Sequence, residues 1–130
     1  VDIPTSSLDL LPTLVRLAGG TIPAWSEGQV LTGFGGSEDP ERSIYMMDAK
    51  QNSAFAALTK ASFALRKGRY KLICYRGYGQ YGARDHFELF DLQDDPAEVN
   101  DLYTATLPIA KALQDELLTR VQSASLPLPR

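Results

Sequence analysis

The chain has 130 residues, of which 44% are hydrophobic and 22% charged, and its net charge is -3 at pH 7. This composition is typical of an ordinary globular domain with one core, and the scattered basic residues of an acidic chain argue against nucleic acid as a partner. The single cysteine, Cys74, excludes an internal disulfide and a cysteine-based zinc site. No apolar run approaches the roughly 20 residues that cross a bilayer, so we expect no membrane span.

The first predicted element is an amphipathic helix between Ser6 and Ala18. Its apolar residues recur at helical spacing and are followed by two glycines that favour a helix end: Leu10, Leu11, Leu14, Val15 and Leu17. Asp9 as N-cap would place Pro12 in the first turn, where a missing N–H costs nothing. A helix that began at Ser7 would instead be bent at Pro12.

Residues 21–40 are predicted to form an ordered connector. They contain four glycines and two prolines and follow neither a helical nor a strand period. Because a free linker would not carry large apolar side chains such as Trp25 and Phe34, we expect some of these residues to hold the segment against a surface.

A small antiparallel sheet of about four strands is predicted next. In the third strand, Tyr70, Leu72 and Cys74 share one face because side chains alternate along a strand. Gly68 is expected in the turn of the central hairpin. The predicted strands are Ser43–Met47, Ala61–Leu65, Arg69–Tyr75 and His86–Leu92.

A C-terminal helix from Thr106 to about Ser123 completes the predicted α+β fold. Its apolar stripe should lie across one face of the sheet, with Pro108 in the first turn. The stripe consists of Ala110, Leu113, Leu117 and Val121, and residues 126–130 are expected to form an extended tail.

Three segments, in this order, resemble type I sulfatases, the formylglycine-dependent branch of the alkaline phosphatase superfamily. They are SLDLLPTLVRLAG at residues 7–19, ALRKGRYKLI at residues 64–73 and ELFDLQDDPAEVNDL at residues 88–102. The first is similar to the helix that closes the catalytic domain, the second to an arginine-bearing hairpin and the third to a pattern that follows the last strand of the C-terminal region.

The resemblance implies that residues 1–36 end a catalytic domain and that residues 37–130 form the C-terminal subdomain. The parent enzyme would hydrolyse sulfate monoesters with a formylglycine made within C/S-x-P-x-R and a divalent cation, calcium. Cys74 is followed by Tyr-Arg-Gly-Tyr and does not fit that motif. We therefore expect no catalytic residue, metal ligand or cofactor in this chain, and no activity from it alone.

The third motif is interpreted as structural. Asp94 or Asp95 can fold its carboxylate back onto backbone N–H groups, Pro96 presets a helical turn, and Glu98 would lie near the N-terminal dipole of that turn. A calcium loop built from these acids and Asp91 is the alternative, but the alternating acids and central glycine of an EF-hand are absent.

The loop of residues 76–85 is the predicted ligand-contact segment. Guanidinium groups suit sulfate or carboxylate, and tyrosine faces suit sugar or aryl rings. In sulfatases of this type, C-terminal loops often shape the substrate pocket, so the resemblance makes this loop a candidate, with a solvated hairpin loop as the open alternative. The candidate substrate-binding residues are Arg76, Tyr78, Tyr81, Arg84 and His86, with Lys50 and Gln51 as weaker ones. A Cys74–His86 dyad is disfavoured because no orienting carboxylate or carboxamide is evident.

The implied partners are a catalytic domain of the same polypeptide and a sulfated small molecule or glycan. Since the first residue is valine and no signal segment follows, we expect the chain to be an internal piece of a longer protein. Its compartment is open: the periplasm or exterior is expected for the parent, with the cytoplasm as the alternative. Apart from its partner, it should expose an apolar face and could dimerise through it. Two alternatives stay open: a self-standing binding module, and a fragment of a related phosphoester or phosphonate hydrolase.

Overall fold

The computed structural model describes residues 3–49 and 58–124. The chain forms two compact units, Val1–Ile44 and Tyr45–Arg130. The predicted boundary between a catalytic domain and a C-terminal subdomain at residue 36 stays a prediction.

The first unit contains a 3-10 turn, Ser7–Asp9, that leads directly into helix α1, Leu10–Leu17. Pro12 lies in the first turn of α1, as predicted. Asp9 is the N-cap residue of α1, as predicted, although its side chain makes no capping hydrogen bond to this helix. Ser6 caps the 3-10 turn instead, and its N–H donates to Asp9 Oδ2 at 2.8 Å.

The connector after α1 is held by hydrogen bonds to the helix region. Gln29 N–H donates to Asp9 Oδ1 at 2.9 Å, and Leu31 N–H donates to Thr13 Oγ1 at 2.9 Å. Buried polar groups are stable only when they are paired, so these bonds fix the path of the connector over the polar side of α1.

The second unit is built on a four-stranded antiparallel sheet, as predicted. Gly68 has φ +54° in the turn of the central hairpin, a conformation that L-residues rarely adopt. The strands lie in chain order and are β1 (Ile44–Ala49), β2 (Ala61–Lys67), β3 (Tyr70–Arg76) and β4 (His86–Asp91).

Helix α2, Pro108–Ala124, covers one face of this sheet. The core unites the predicted helical stripe with inward side chains of three strands, all buried: Ala110, Leu113, Leu117 and Val121 with Phe63, Leu65, Leu72, Cys74 and Leu89. Burying each large apolar side chain contributes about 1.5–3 kcal/mol, so α2 and the sheet stabilise each other. The predicted α+β arrangement is therefore confirmed.

The turn that follows β4 is fixed by its acidic residues. Asp95 accepts hydrogen bonds from Val99 N–H at 3.1 Å and Asn100 N–H at 2.8 Å, as expected for a carboxylate folded onto the backbone. Glu98 does not lie at a helix N-terminus, because the chain turns at this residue with φ +55° and its carboxylate binds Lys71 Nζ at 2.7 Å. Asp91 and Asp94 both bind Arg69, so these acids are engaged by cations and backbone.

Candidate ligand-contact loop

The loop between β3 and β4 leaves the sheet at Gly77. This residue has φ +71°, and a Cβ atom here would lie 1.9 Å from the carbonyl oxygen of Thr59. Only glycine fits such an approach. The close passage fixes the start of the loop beside the residues that precede β2, and Lys60 Nζ lies 4.9 Å from the centre of the Tyr78 ring.

Four rings form a cluster at this end of the sheet: Tyr75, Tyr78, Tyr81 and His86, called the aromatic cluster below. Tyr81 stacks on His86 with centroids 4.0 Å apart and planes inclined by 7°. Tyr75 contacts Tyr81 at 5.2 Å and meets the edge of Tyr78 at 5.9 Å. Two rings come from the loop and two from the paired strand residues Tyr75 and His86, so the cluster holds the loop against the sheet.

Glu88 supplies the acidic group beside the aromatic cluster. Its Oε2 accepts a hydrogen bond from the Tyr75 hydroxyl at 3.2 Å, and its Oε1 lies 3.5 Å from His86 Nε2. Burial, together with the negative charge of Glu88, raises the pKa of Tyr75 to about 12. The Tyr75 hydroxyl is therefore a hydrogen-bond donor at neutral pH.

The two arginines of the predicted site have different surroundings. Arg76 pairs with Asp85 across the base of the loop, with Nη2 2.6 Å from Oδ2 and Nε 3.1 Å from Oδ1, and its guanidinium lies over the Phe63 ring. Arg84 is exposed, and within the described part of the chain it makes no hydrogen bond or ion pair. Arg76 therefore holds the base of the loop, while the Arg84 guanidinium is exposed to solvent.

Cys74 and His86 cannot form a dyad. Cys74 pairs with Phe87, and His86 pairs with Tyr75, so their side chains lie on opposite faces of the sheet. Cys74 is fully buried in the core, and burial raises the pKa of its thiol to about 12. The thiol therefore packs in the core and is unreactive.

The loop brings together Tyr78, Tyr81 and His86 and places Arg76 and Arg84 at its two ends. Lys50 and Gln51 lie outside the described residues. Sequence reasoning missed Tyr75, Lys60 and Glu88. Strand alternation would have put Tyr75 and Glu88 beside His86, but no local pattern indicates the approach of Lys60.

The 3-10 turn and helix α1 together present a second candidate surface, called the leucine face below. Its members Leu8, Leu10, Leu11, Leu14 and Leu17 are 40–63% exposed. Asp9, Pro12 and Thr13 are buried on the opposite side. This segment therefore buries the polar side chains of Asp9 and Thr13 and exposes five leucines, the reverse of the usual arrangement in a domain that is complete by itself.

The buried polar side centres on Asp9, whose side chain is 1% exposed. Arg42 donates to both of its carboxylate oxygens, from Nη2 to Oδ1 at 2.7 Å and from Nη1 to Oδ2 at 2.8 Å. Burial alone would raise the pKa of Asp9, but the hydrogen bonds from Arg42, Gln29 and Ser6 lower it to about 2. Because Asp9 and Arg42 neutralise each other, the cleft of about 280 Å³ beside them receives no net charge from this pair.

Neither metal coordination nor a membrane span is evident in residues 3–49 and 58–124. They contain no group of three or more His, Cys, Asp or Glu side chains that could hold a metal ion. Neither of their α-helices has the length and apolar content needed to cross a bilayer.

Comparison with known proteins finds sulfatases among the relatives of this chain. The chain is 32% identical to the Delta 4,5-hexuronate-2-O-sulfatase of Bacteroides thetaiotaomicron over 88% of its own length and 24% of that protein. It is 31% identical to the choline-sulfatase of Rhizobium meliloti over 76% of its length and 18% of that protein. The chain thus spans about a quarter or less of these relatives.

A solved structure of a protein in complex with its substrate D-glucosamine-2-N,6-O-disulfate shares the fold. The TM-score is 0.57 at 26% identity, over 88% of this chain and 22% of that one. The family described as N-sulphoglucosamine sulphohydrolase, C-terminal, matches residues 3–125, almost the whole chain. The chain therefore belongs to this family of sulfatase C-terminal domains, as its three sequence motifs indicated.

Proposed function

We propose that the chain works as the C-terminal part of a longer sulfatase that hydrolyses sulfate monoesters. In that enzyme it supports the catalytic domain and forms part of the rim of the substrate pocket. The observation that carries the proposal is the family match over residues 3–125 in a chain that spans only 24% and 18% of its sulfatase relatives.

The leucine face supports the bracing role. An eight-residue helix is too short to be stable without tertiary packing, and the leucines of α1 are exposed among the described residues. A catalytic domain of the same polypeptide would cover the five exposed leucines. The dimer expected through this face stays a prediction.

The loop supports the second role. The rings of Tyr78, Tyr81 and His86 and the free guanidinium of Arg84 are the groups that we expect to contact substrate. Arg76 is expected to act through Asp85 by holding the base of the loop. Lys50 and Gln51 remain candidates outside the described residues.

The reactive groups would belong to the rest of the enzyme. We expect a formylglycine nucleophile and a divalent cation, calcium, to lie in the catalytic domain. The described residues of this chain do not fit a metal site, because they offer no group of three suitable ligands. Their contribution is therefore to orient and enclose the substrate.

The test is hydrolysis of paired sulfate and phosphate monoesters of one alcohol by the longer polypeptide. We expect it to release sulfate faster than phosphate, and the 130-residue chain alone to release neither. Faster phosphate release would favour the alternative of a phosphoester or phosphonate hydrolase. A gene whose product is this chain alone would favour the alternative of a self-standing binding module.

A further inference from the structure

We infer that the outer face of the sheet, opposite α2, is a docking surface for a segment of the catalytic domain that brings a carboxylate to Arg66. The inference rests on the proposed function and deepens it by stating the chemistry of the partner surface. The residues that carry it belong to neither the leucine face nor the loop between β3 and β4.

Strand alternation defines the outer face. Phe63 and Leu65 of β2 belong to the core that α2 covers, and Leu72 of β3 does so as well. Because side chains alternate along a strand, the residues between them point away from α2. On β2 and β3 the outer face carries Ser62, Ala64, Arg66, Lys71 and Ile73.

Arg66 lacks an acceptor on this face. Its side chain is partly buried, and its Nε atom is buried without a hydrogen-bond partner in residues 3–49 and 58–124. The ion pairs of this part of the chain do not include it. A buried donor that has lost water and gained no acceptor lowers stability. Arg66 therefore has the surroundings of a group whose acceptor is supplied from elsewhere.

The residue opposite Arg66 already has its own partner. Arg66 pairs with Lys71 across the two strands, so two cations share this end of the outer face. Like charges directly opposite each other are unfavourable in a sheet. Glu98 offsets the charge of Lys71, with Oε2 2.7 Å from Nζ, and leaves that of Arg66. One carboxylate would complete this end, because a guanidinium group binds a carboxylate through two parallel hydrogen bonds.

An apolar groove lies on the same face. It has a volume of about 300 Å³, and its lining includes Met46, Ala64 and Ile73. Met46 is 44% exposed. Methionine is unbranched and adapts to the shape of a partner, and apolar surface next to an arginine is typical of protein interfaces. The face therefore suits an apolar segment that carries one acidic side chain.

The catalytic domain is the occupant that these observations favour. The chain spans only 24% and 18% of its sulfatase relatives, so in the proposed enzyme most of the polypeptide is available to cover this face. A second copy of the chain fits less well. Its outer face would bring another Arg66 and Lys71 toward the first pair, and like charges across an interface are repelled.

Arg66→Met tests the charge contact by its opposite effects in two settings. In the 130-residue chain it removes an unsatisfied donor and a charge opposite Lys71, so the thermal midpoint should rise by about 4 °C. In the longer polypeptide it leaves a buried carboxylate without its cation, so the midpoint should fall by at least about 2 °C. Lys111→Met, at an exposed cation of α2, is the matched control and should shift neither midpoint.

The pattern of the two midpoints decides the outcome. A fall confined to the longer polypeptide supports the inference. A fall in the 130-residue chain would show that Arg66 has its partner within that chain, and this would overturn the inference. The absence of a fall in the longer polypeptide would overturn it too, because no carboxylate would then depend on Arg66.

Thiol labelling tests the apolar contact without relying on stability. Met46→Cys places a thiol on the outer face, whereas Cys74 is fully buried and does not compete for the reagent. Mass analysis of the labelled peptides locates the reaction. We expect a maleimide to label residue 46 at least about tenfold more slowly in the longer polypeptide than in the 130-residue chain, because burial excludes the reagent. Lys111→Cys is the control and should react at the same rate in both.

Two results of the labelling would overturn the inference. Equal rates at residue 46 in the two settings would show that the outer face stays uncovered. Protection of residue 46 that appears in the 130-residue chain as its concentration rises would show that a second copy is the occupant.

The inference and the proposed function fail in distinguishable ways. Sulfate release by the longer polypeptide, with residue 46 labelled equally in both settings, would remove the inference and keep the function. Protection of residue 46 in the longer polypeptide, with no sulfate release from any ester, would remove the function and keep the docking surface.

Discussion

The two units of the chain place their leucines in opposite ways. In Tyr45–Arg130, Leu65, Leu72 and Leu89 are fully buried beneath α2. In Val1–Ile44, five leucines are at least 40% exposed while the carboxylate of Asp9 is buried. The first arrangement completes its own core, and the second is stabilised from within by an ion pair and hydrogen bonds.

This difference shows which part of the chain can be understood by itself. Apolar burial is the main source of folding stability, so a unit with a closed apolar core contains the packing that stabilises it. A unit that exposes the apolar side of its helix is typical of one part of a larger domain, in which another element covers that side.

The largest effect is expected from opening the closed core. Leu72→Ala leaves a cavity between β3 and α2 and should lower the free energy of unfolding by about 4 kcal/mol. Denaturant unfolding followed by circular dichroism measures this loss. A loss below about 1 kcal/mol would show that the core is not packed as described.

Breaking the ion pair of the first unit comes next. Asp9→Asn leaves the Arg42 guanidinium without its charge partner and should lower the free energy of unfolding by about 3 kcal/mol. This loss is at the low end for removing one partner of a buried ion pair because Arg42 is 18% exposed. Amide chemical shifts of residues 6–42, followed by NMR during urea denaturation, report on this unit. Glu41→Gln, on an exposed neighbour, is the control and should change little; equal losses in both variants would contradict a specific role for the pair.

Acid should weaken the same unit to a smaller extent. The folded pKa of Asp9 is about 2, below its ordinary value of 3.8. Its stabilising contribution, about 2 kcal/mol, is therefore complete above about pH 4 and is lost as pH falls through about 2. Thermal unfolding followed by the amide shifts of residues 6–42 between pH 5 and pH 2 should show this loss in the native chain and not in Asp9→Asn.

The smallest effect is expected on the leucine face. Leu14 is 63% exposed, so Leu14→Gln should change the stability of the 130-residue chain by no more than about 0.5 kcal/mol. Equal thermal midpoints of the two chains would confirm this. A large loss would mean that Leu14 is buried within the chain or in a dimer of it, and a concentration series distinguishes these two cases.

Periodic patterns in the sequence predicted the faces of the strands and the buried side of helix α2. Alternation along β3 placed Leu72 and Cys74 on the inner face, and the helical stripe from Ala110 to Val121 is the buried side of α2. Gly68 marked the hairpin because a turn of this kind needs positive φ.

Long-range pairing accounts for what the sequence could not reveal. The partner of Asp9 is Arg42, 33 residues away, and Glu98 reaches Lys71 across 27 residues. In the candidate site, the rings of the loop could be predicted from composition. The engagement of Arg76 by Asp85 and the approach of Lys60 to Tyr78 depend on how the loop folds back, which no periodic pattern encodes.

The most direct test of the account compares Leu14→Gln in two settings. In the 130-residue chain the substitution should leave the thermal midpoint unchanged, because the side chain is exposed there. In the longer sulfatase it should lower the midpoint, since a polar amide would then be buried against the catalytic domain. An unchanged midpoint in the longer enzyme would contradict the claim that the leucine face is an internal contact of a larger sulfatase.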